Sequence, residues 1–563
     1  METWNMHIKP DGALHPRIYV LTEFPSPEEI IRNKPFCGSV GHAFDKLLNE
    51  ANLLRSDCYF SYACLKGLPP DNKNKIDAYY PKAKKDVLHG FHQYLHDRWV
   101  HPEIAKSQER VKEEIARIKP DVILAMGNAA MHLLTGQWGI QAWRGSLDYY
   151  EGIPVIPTFT MQYLFRVWDQ RPVILNDLLK VRKILLGEVA KEPEWKFTIR
   201  PTFEQVEERL LWLINQCDNA DDWFAAGVDI ETRGGHINCI GVAWSTTEAI
   251  CIPLISLERP GGYFELKQEG RIVYLLYKLL THPRFKNVGQ NYSYDVQYIF
   301  RAWHFIPGNL QPGGVEDTML MQHVLYPGME KGLGFLSSLH SEHHVYWKDE
   351  GKLWNPNMPE EEHWEYNAKD CCRTLGVYYS LKETLEKEGL LSVYHRQAYR
   401  CWRSVLMAML RGVRVDEARR RQMQTELFQK INQMQAKINR LVGHELNVDS
   451  SPQMKRLFYE DLGQKIIYAK KANEQGIKMP TVDSDALDTI MEREPLLAPL
   501  CCAIQELRSL GVFYSTFACA KLDYDRRMRS NYNVAGTETF RLASRQNPFG
   551  SGMNLQNIPK GNE

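Results

Sequence analysis

The sequence has no surplus of charge of either sign: 69 Lys and Arg offset 69 Asp and Glu over 563 residues. That balance excludes a protein drawn to polyanions by a global field and leaves nucleic acid to local surfaces. It also has no CxxC among its twelve cysteines, and no regular spacing suited to zinc or an iron-sulfur cluster, so reduced, buried thiols are expected. The N-terminus, "METWNMHIKPDG", lacks a basic segment followed by an apolar run. No stretch approaches the ~20 apolar residues of a membrane span, and repeats and low-complexity tracts are missing. A cytosolic protein without a membrane partner is expected.

What is present is apolar content of 44%, enough for real cores, in a length that fits three domains. From Arg17 to about Gly187 strand-like runs ("RIYVLTEF", "CYFSYACL", "DVILAMG", "IPVIPTFT") alternate with helical ones, which predicts an α/β layer with a mainly parallel sheet. The charged, proline-bearing "LGEVAKEPEWKFTIRPT" reads as a linker. A second α/β unit follows, with strands "AAGVDIET", "INCIGVAWS" and "AICIPLI", and the remainder is mostly helical. The domains are expected at 1–190, 191–395 and 396–563.

In "GVDIETRGGHINCIGVAWS", Asp229 and Glu231 stand two apart on a predicted strand, so both carboxylates share a face beside the core. Such a pair is costly unless a cation or proton offsets it. Downstream, Asp295 lies in "NVGQNYSYDVQYIF", and Tyr366 and Asp370 are four apart on a predicted helix, hence on one face. Four carboxylates and a tyrosine suit hard divalent ions, which can stabilise the attacking and leaving oxygens of phosphodiester hydrolysis. "HSEHH", His340 to His344, has no matched carboxylate or cysteine partner and reads as packing or surface residues.

The segments "DIET", "VGQNYSYD" and "YNAKD" resemble the three motifs of the DnaQ-like 3′-5′ proofreading exonucleases, in the form found in family A DNA polymerases of the bacterial DNA polymerase I type. The resemblance implies that Asp229, Glu231, Asp295 and Asp370 hold two Mg2+ (or Mn2+) ions and that Tyr366 positions the attacking water. It implies substrate contact by Gln290 and Asn291 and a supporting role for Asp317. "NKPFCGSVGHAFDKLL", "IKPDVILAMGNAAMHLLTG" and "WRGSLDYYEGIPVIPTFT" resemble the uracil-DNA glycosylase superfamily, which acts on a flipped-out base. Here only Glu23 survives of the early motif, and Thr160-Met161 stand where that family carries His-Pro. Cys37, Cys58 and Cys64 do not match the placement of its cluster ligands, so no iron-sulfur cluster is expected. The region reads as a retained, non-catalytic fold, with Arg144 and Lys66 as candidates for phosphate contact.

"LNVDSSPQMKRLFYEDLG" and "KMPTVDSDALDTI" resemble the thumb of family A polymerases, and "GTETFRLASRQNPFGSGMNLQNIP" the first segment of the palm. There Phe540 replaces a usual glycine, while Arg541, Asn554, Gln556 and Asn557 keep their places and suit phosphate, sugar and base edges. The resemblance implies a multidomain α/β protein: a glycosylase-like α/β/α domain, a ribonuclease H-like exonuclease domain, and a mainly helical thumb with the first palm segment. Its expected ligands are a single-stranded 3′ end and primer-template DNA, with other replication proteins as further partners. The fingers and the catalytic palm motifs are not found, so a second polypeptide is expected to complete a polymerase. A bacteriophage source, and so the host cytoplasm, accompanies that arrangement. A free-standing exonuclease and a non-catalytic DNA-binding or assembly subunit are the alternatives.

Overall fold

The computed structural model describes residues 7–13, 15–66, 76, 79–81, 93–95, 98–310, 313–470 and 478–558. Two compact units divide the chain: Met1–Arg403 with Thr537–Arg541, and Ser404–Gly536 with Leu542–Glu563.

The first unit holds two six-stranded sheets. The strands of the first are β1 (Asp11–Gly12), β2 (Ile18–Thr22), β3 (Cys58–Tyr62), β4 (Val122–Met126), β5 (Asp148–Tyr150) and β6 (Ile153–Thr158), in the spatial order β1-β3-β2-β4-β6-β5. The inner four run parallel, and the edges β1 and β5 are antiparallel. Helices cover both faces, so β2 and β4 are buried along their whole length. That is why they read as the unbroken apolar runs "IYVLT" and "VILAM". Phe44, Leu47, Ile174 and Leu178 fill the core on one face, and Ile104, Val111, Ala129 and Leu133 the core on the other.

The second sheet comprises β7 (Lys196–Thr198), β8 (Phe224–Arg233), β9 (His236–Ala243), β10 (Glu248–Pro253), β11 (Phe285–Gly289) and β12 (Val315–Asp317), ordered β12-β11-β8-β9-β10-β7. β8 and β9 form a hairpin around Gly234 and Gly235, whose φ of 58° and 83° give the turn that matches strand twist. β8 pairs in parallel with β11 from Phe224↔Phe285 to Gly227↔Val288. The linker expected after Gly187 is only partly one. Its "KFT" is β7, which adds to the edge of the sheet beside β10 because its backbone groups find partners there.

The long helix Glu360–Lys387 lies flush on this sheet because two strand positions lack a side chain. A Cβ on Gly227 would stand 2.2 Å from the Cys371 carbonyl oxygen, and one on Gly241 2.4 Å from Asn367 Oδ1. This close approach brings Tyr366 and Asp370 to the end of β8.

The second unit is mainly helical. Helix Glu417–Val442, capped by the Asp416 carboxylate on Arg419 N–H and ended by Gly443 in the left-handed region, packs against Ala498–Val512. Ile438, Leu446, Phe458, Leu487, Ile490, Ile504 and Leu507 form its core. The continuous helical run Pro495–Ala518 passes a length and composition criterion for a membrane span, though Gln505, Glu506 and Arg508 interrupt its apolar residues. Its Cys501, Ala503, Ile504 and Leu507 are spent in that core. The helices expected from residue 396 onward are present, with two short strand pairs added, Val413–Arg414 with Arg527–Met528 and Asn531–Asn533 with Ala543–Arg545.

Candidate active site

β8 carries Asp229 and Glu231 toward the long helix, with a bulge after Glu231 ending the regular ladder. One carboxylate oxygen each from Asp229, Glu231 and Asp370 lies within 4.8 Å of the others, the one such metal-competent group among the described residues. Asp295 is close but faces differently. Where the parallel ladder with β11 ends, its Oδ1 accepts the Ile230 N–H at 2.9 Å, so it braces β8 between the two strand acids. Tyr366 Oη stands beside Asp370, accepting a bond from Lys348 Nζ at 2.7 Å.

Crowding and burial shape the electrostatics. Desolvation, with Asp370 next to it, pushes Asp229 up to about 7, although Lys348 and the Asn367 side chain oppose this. Burial and the charge on Asp229 hold Glu231 and Asp295 well above the usual carboxylate range. For Lys348 burial acts downward, but Asp370 outweighs it and the ammonium is held above its ordinary value. Asn367 Nδ2 donates to Asp229 Oδ2 at 2.9 Å. A cluster that resists ionising together is one that a cation stabilises, and its all-oxygen donor set fits magnesium or manganese.

The other expected residues fall in varied places. Gln290 is tied into the fold: its Nε2 donates to Lys331 O at 2.7 Å and its Oε1 accepts from Thr318 Oγ1. Asn291 has a left-handed backbone, φ 54°, in the turn that Asp317 holds by accepting the N–H groups of Asn291 and Tyr292. Arg541, Gln556 and Asn557 are exposed, whereas Asn554 caps its own turn by accepting the Gln556 N–H at 3.0 Å. Arg144 is a correction. It is 1% exposed and bonded to Asp177 and Ser338, so its guanidinium is neutralised internally and cannot meet phosphate. Lys66 is partly exposed, 3.8 Å from Glu103. The histidines of "HSEHH" pack: His340 bonds Ser380, and His344 is buried against Trp347.

Sequence reasoning missed Trp347 and Lys348. Trp347 Nε1–H donates to Asp370 Oδ1 at 2.7 Å, and Lys348 Nζ to Asp370 Oδ2 at 2.5 Å. Nothing in "VYWKDEGK" marks them, since the link to Asp370 is made only in three dimensions.

In the glycosylase-like sheet, Glu23 occupies the end of β2 and accepts the Ala129 N–H at 3.2 Å, at the start of helix Asn128–Thr135. Burial pushes it up to about 7, against the backbone bonds of Ala129 and Asn128. Thr160 caps its own short helix by accepting the Tyr163 N–H.

Residues 9–183 match the family model of the uracil DNA glycosylase superfamily, 205–386 that of a 3′-5′ exonuclease, and 417–563 that of DNA polymerase family A. Over 188 residues the chain is 30% identical to a thermostable DNA polymerase I of Thermus aquaticus, covering 32% of this chain and 21% of that protein. Over 183 residues it is 29% identical to a type-4 uracil-DNA glycosylase of Thermotoga maritima, covering 32% of this chain and 82% of that one. Over 295 residues it is 27% identical to DNA polymerase I of Streptococcus pneumoniae, 50% of this chain and 32% of that one. The chain thus spans a third or less of the polymerases it matches. Three regions in order thus match three families: the uracil DNA glycosylase superfamily, a 3′-5′ exonuclease and DNA polymerase family A.

Proposed function

We propose that the exonuclease region removes nucleotides from the 3′ end of DNA by metal-dependent hydrolysis of the terminal phosphodiester, as the proofreading part of a family A polymerase. The convergence of Asp229, Glu231 and Asp370 carries this reading, in a region that matches the exonuclease family. These three would hold a divalent ion, with Asp295 adjoining a second. When bound, the ions offset the carboxylate charge and act as Lewis acids toward phosphate and water. Tyr366, held through Lys348, orients the water, and Asn367 fixes the carboxylate of Asp229.

The test is digestion of a 3′-labelled single strand with magnesium by the full chain and by Asp229→Ala and Glu231→Ala. Equal inertness of wild type and variants over varied metal conditions would sink the reading.

The polymerase region is proposed to grip primer-template DNA through Arg541, Gln556 and Asn557, in the cytoplasm of the cell or phage host. Polymerisation needs palm metal ligands and a nucleotide-binding helix. A polypeptide supplying them, in the same chain or a second one, is part of the proposal. Primer extension with and without it is the measurement, and extension by these 563 residues alone would refute that requirement. The glycosylase-like region is proposed to excise no base, since Thr160 is spent as a helix cap. Robust release from uracil-containing single-stranded DNA would overturn that.

A further inference from the structure

Asp370 is held by two consecutive residues of one short segment. Trp347 donates to one carboxylate oxygen and Lys348 to the other, and the same ammonium reaches Tyr366 Oη. Each carboxylate oxygen has two lone pairs, so both bonds leave Asp370 free to face Asp229 and Glu231. Such outer partners fix the direction of a metal-binding carboxylate. Gly351, in the short helix Lys348–Leu353, lets the Tyr366 ring pack directly beneath, for a Cβ there would stand 2.6 Å from its Cζ.

The upstream part of the segment is held by the glycosylase-like region. Leu147 N–H donates to His344 O at 2.8 Å, and Tyr346 N–H donates to Ser146 Oγ at 3.2 Å. The Trp143 ring lies against that of Tyr346, with centroids 5.4 Å apart. The clamp has a rigid base. Arg144 is locked between Asp177 and Ser338. Lys180 Nζ bridges Gly145 O and Ser338 O, each at 2.6 Å. Thr158, at the end of β6, donates to Asp177 Oδ2 at 2.7 Å, which ties this base to the sheet. The strap His344–Lys348 is therefore fastened to one region and ends on the acids of the other.

We propose that the glycosylase-like region is a positioning domain for the nuclease site: it clamps the strap His344–Lys348 so that Trp347 and Lys348 orient Asp370 and Tyr366. The inference rests on the nuclease reading above. It gives a region proposed above to excise no base a task in the same chain.

The experiment uses the full chain, with two readouts: kcat and KM on a 3′-labelled single strand with magnesium, and Mn2+ affinity without DNA by electron paramagnetic resonance. Trp347→Phe keeps the ring and removes the N–H, and Lys348→Met keeps the length and removes the charge. Each is expected to lower kcat about tenfold or more, the range of outer-partner losses, with KM within about twofold, and Lys348→Arg is expected to recover part of the loss. The deciding variants lie in the clamp. Trp143→Leu and Ser146→Ala are expected to lower kcat several-fold and weaken Mn2+ binding, and to be less than additive with Trp347→Phe, as coupled groups are. Ser146→Ala removes only one acceptor and decides the matter if Trp143→Leu does not fold. Wild-type kcat and Mn2+ affinity in folded clamp variants would overturn the positioning role while leaving the nuclease intact. A wild type that neither binds Mn2+ nor cuts, indistinguishable from Asp229→Ala, would remove the nuclease reading and this inference together.

Discussion

Both sheets of the first unit place a carboxylate at the end of a central strand and raise it to about 7, yet by different means. Glu23 is a single acid, and backbone N–H groups at a helix start already satisfy it. Asp229 sits among other acids, and of the donors around the three converging carboxylates Lys348 alone carries a positive charge, with Asn367 and Trp347 as neutral partners. The same perturbation therefore has two meanings. A lone desolvated acid with its own donors is complete as it stands, whereas an acid crowded by its own kind calls for a cation from outside.

The sharpest way to break this comparison is to neutralise one acid in each place. Asp229→Asn should lose well over the roughly 100-fold that marks the upper end of outer-partner losses. Glu23→Gln, nearly the same shape, should leave nuclease kcat within about twofold. Single-strand digestion measures both, and a nuclease as sensitive to Glu23 as to Asp229 would erase the distinction.

A second test concerns how the long helix reaches the strand acids. Gly241→Ala places a methyl 2.4 Å from Asn367 Oδ1 and 2.5 Å from Cys371 Sγ. It should cost about 1–3 kcal/mol of stability, as overpacked cores do, and lower nuclease activity with it. The corresponding Gly152→Ala, at a turn where a Cβ meets nothing within 4 Å, should cost only its left-handed backbone strain and leave the nuclease untouched. Urea unfolding and digestion rates read the two effects.

How far the sequence disclosed this site follows from the range of the interactions involved. The two-residue step of Asp229 and Glu231 and the four-residue step of Tyr366 and Asp370 are local periodicities, so strand and helix faces reveal them. The buried strands β2 and β4 were legible for the same reason, as continuous apolar runs. Arg144 misled because an arginine beside a glycine in a polar stretch looks exposed. Its partner Asp177 lies 33 residues on, and only the packed fold brings them together. Trp347 and Lys348 reach Asp370 across 23 and 22 residues, and β7 owes its extended form to β10 rather than to its own three residues. Contacts of this kind leave no local pattern.

The third test is pH. Asp229 and Glu23 are both raised in the folded state above their unfolded values, so the folded protein binds more protons between the two. Their contribution to stability is full below the unfolded pKa, near 4, and is lost as pH rises through about 7. Without metal, this carboxylate contribution to the melting temperature of the first unit should therefore fall between pH 5 and 8, against the rise from buried histidines such as His132 and His340, which burial lowers to about 4. Mn2+ should restore the part due to Asp229, because metal binding takes the place of the protons. Glu23→Gln should remove the part due to Glu23, which Mn2+ leaves unchanged. Differential scanning calorimetry with and without Mn2+ separates them, and a pH slope that Mn2+ leaves unchanged would contradict the cation-demanding cluster.

The smallest effect lies at Phe540, where the resembled palm segment usually has glycine. Its φ of 59° is in the left-handed region, which costs a non-glycine residue about 1–2 kcal/mol. The ring gains something in return, packing on His323 with centroids 4.3 Å apart, worth about 0.5–1.5 kcal/mol for an aromatic pair. Phe540→Gly relieves the strain and loses the ring, so its stability should stay within about 1 kcal/mol of wild type. Phe540→Ala loses the ring and keeps the strain, and should fall below glycine by about 1 kcal/mol, the reverse of their order in a helix. Urea midpoints of the two variants decide this. Alanine equal to or above glycine would mean that the left-handed turn is not retained once the ring is gone, and that the ring, rather than the glycine-like backbone of the motif, sets the conformation there.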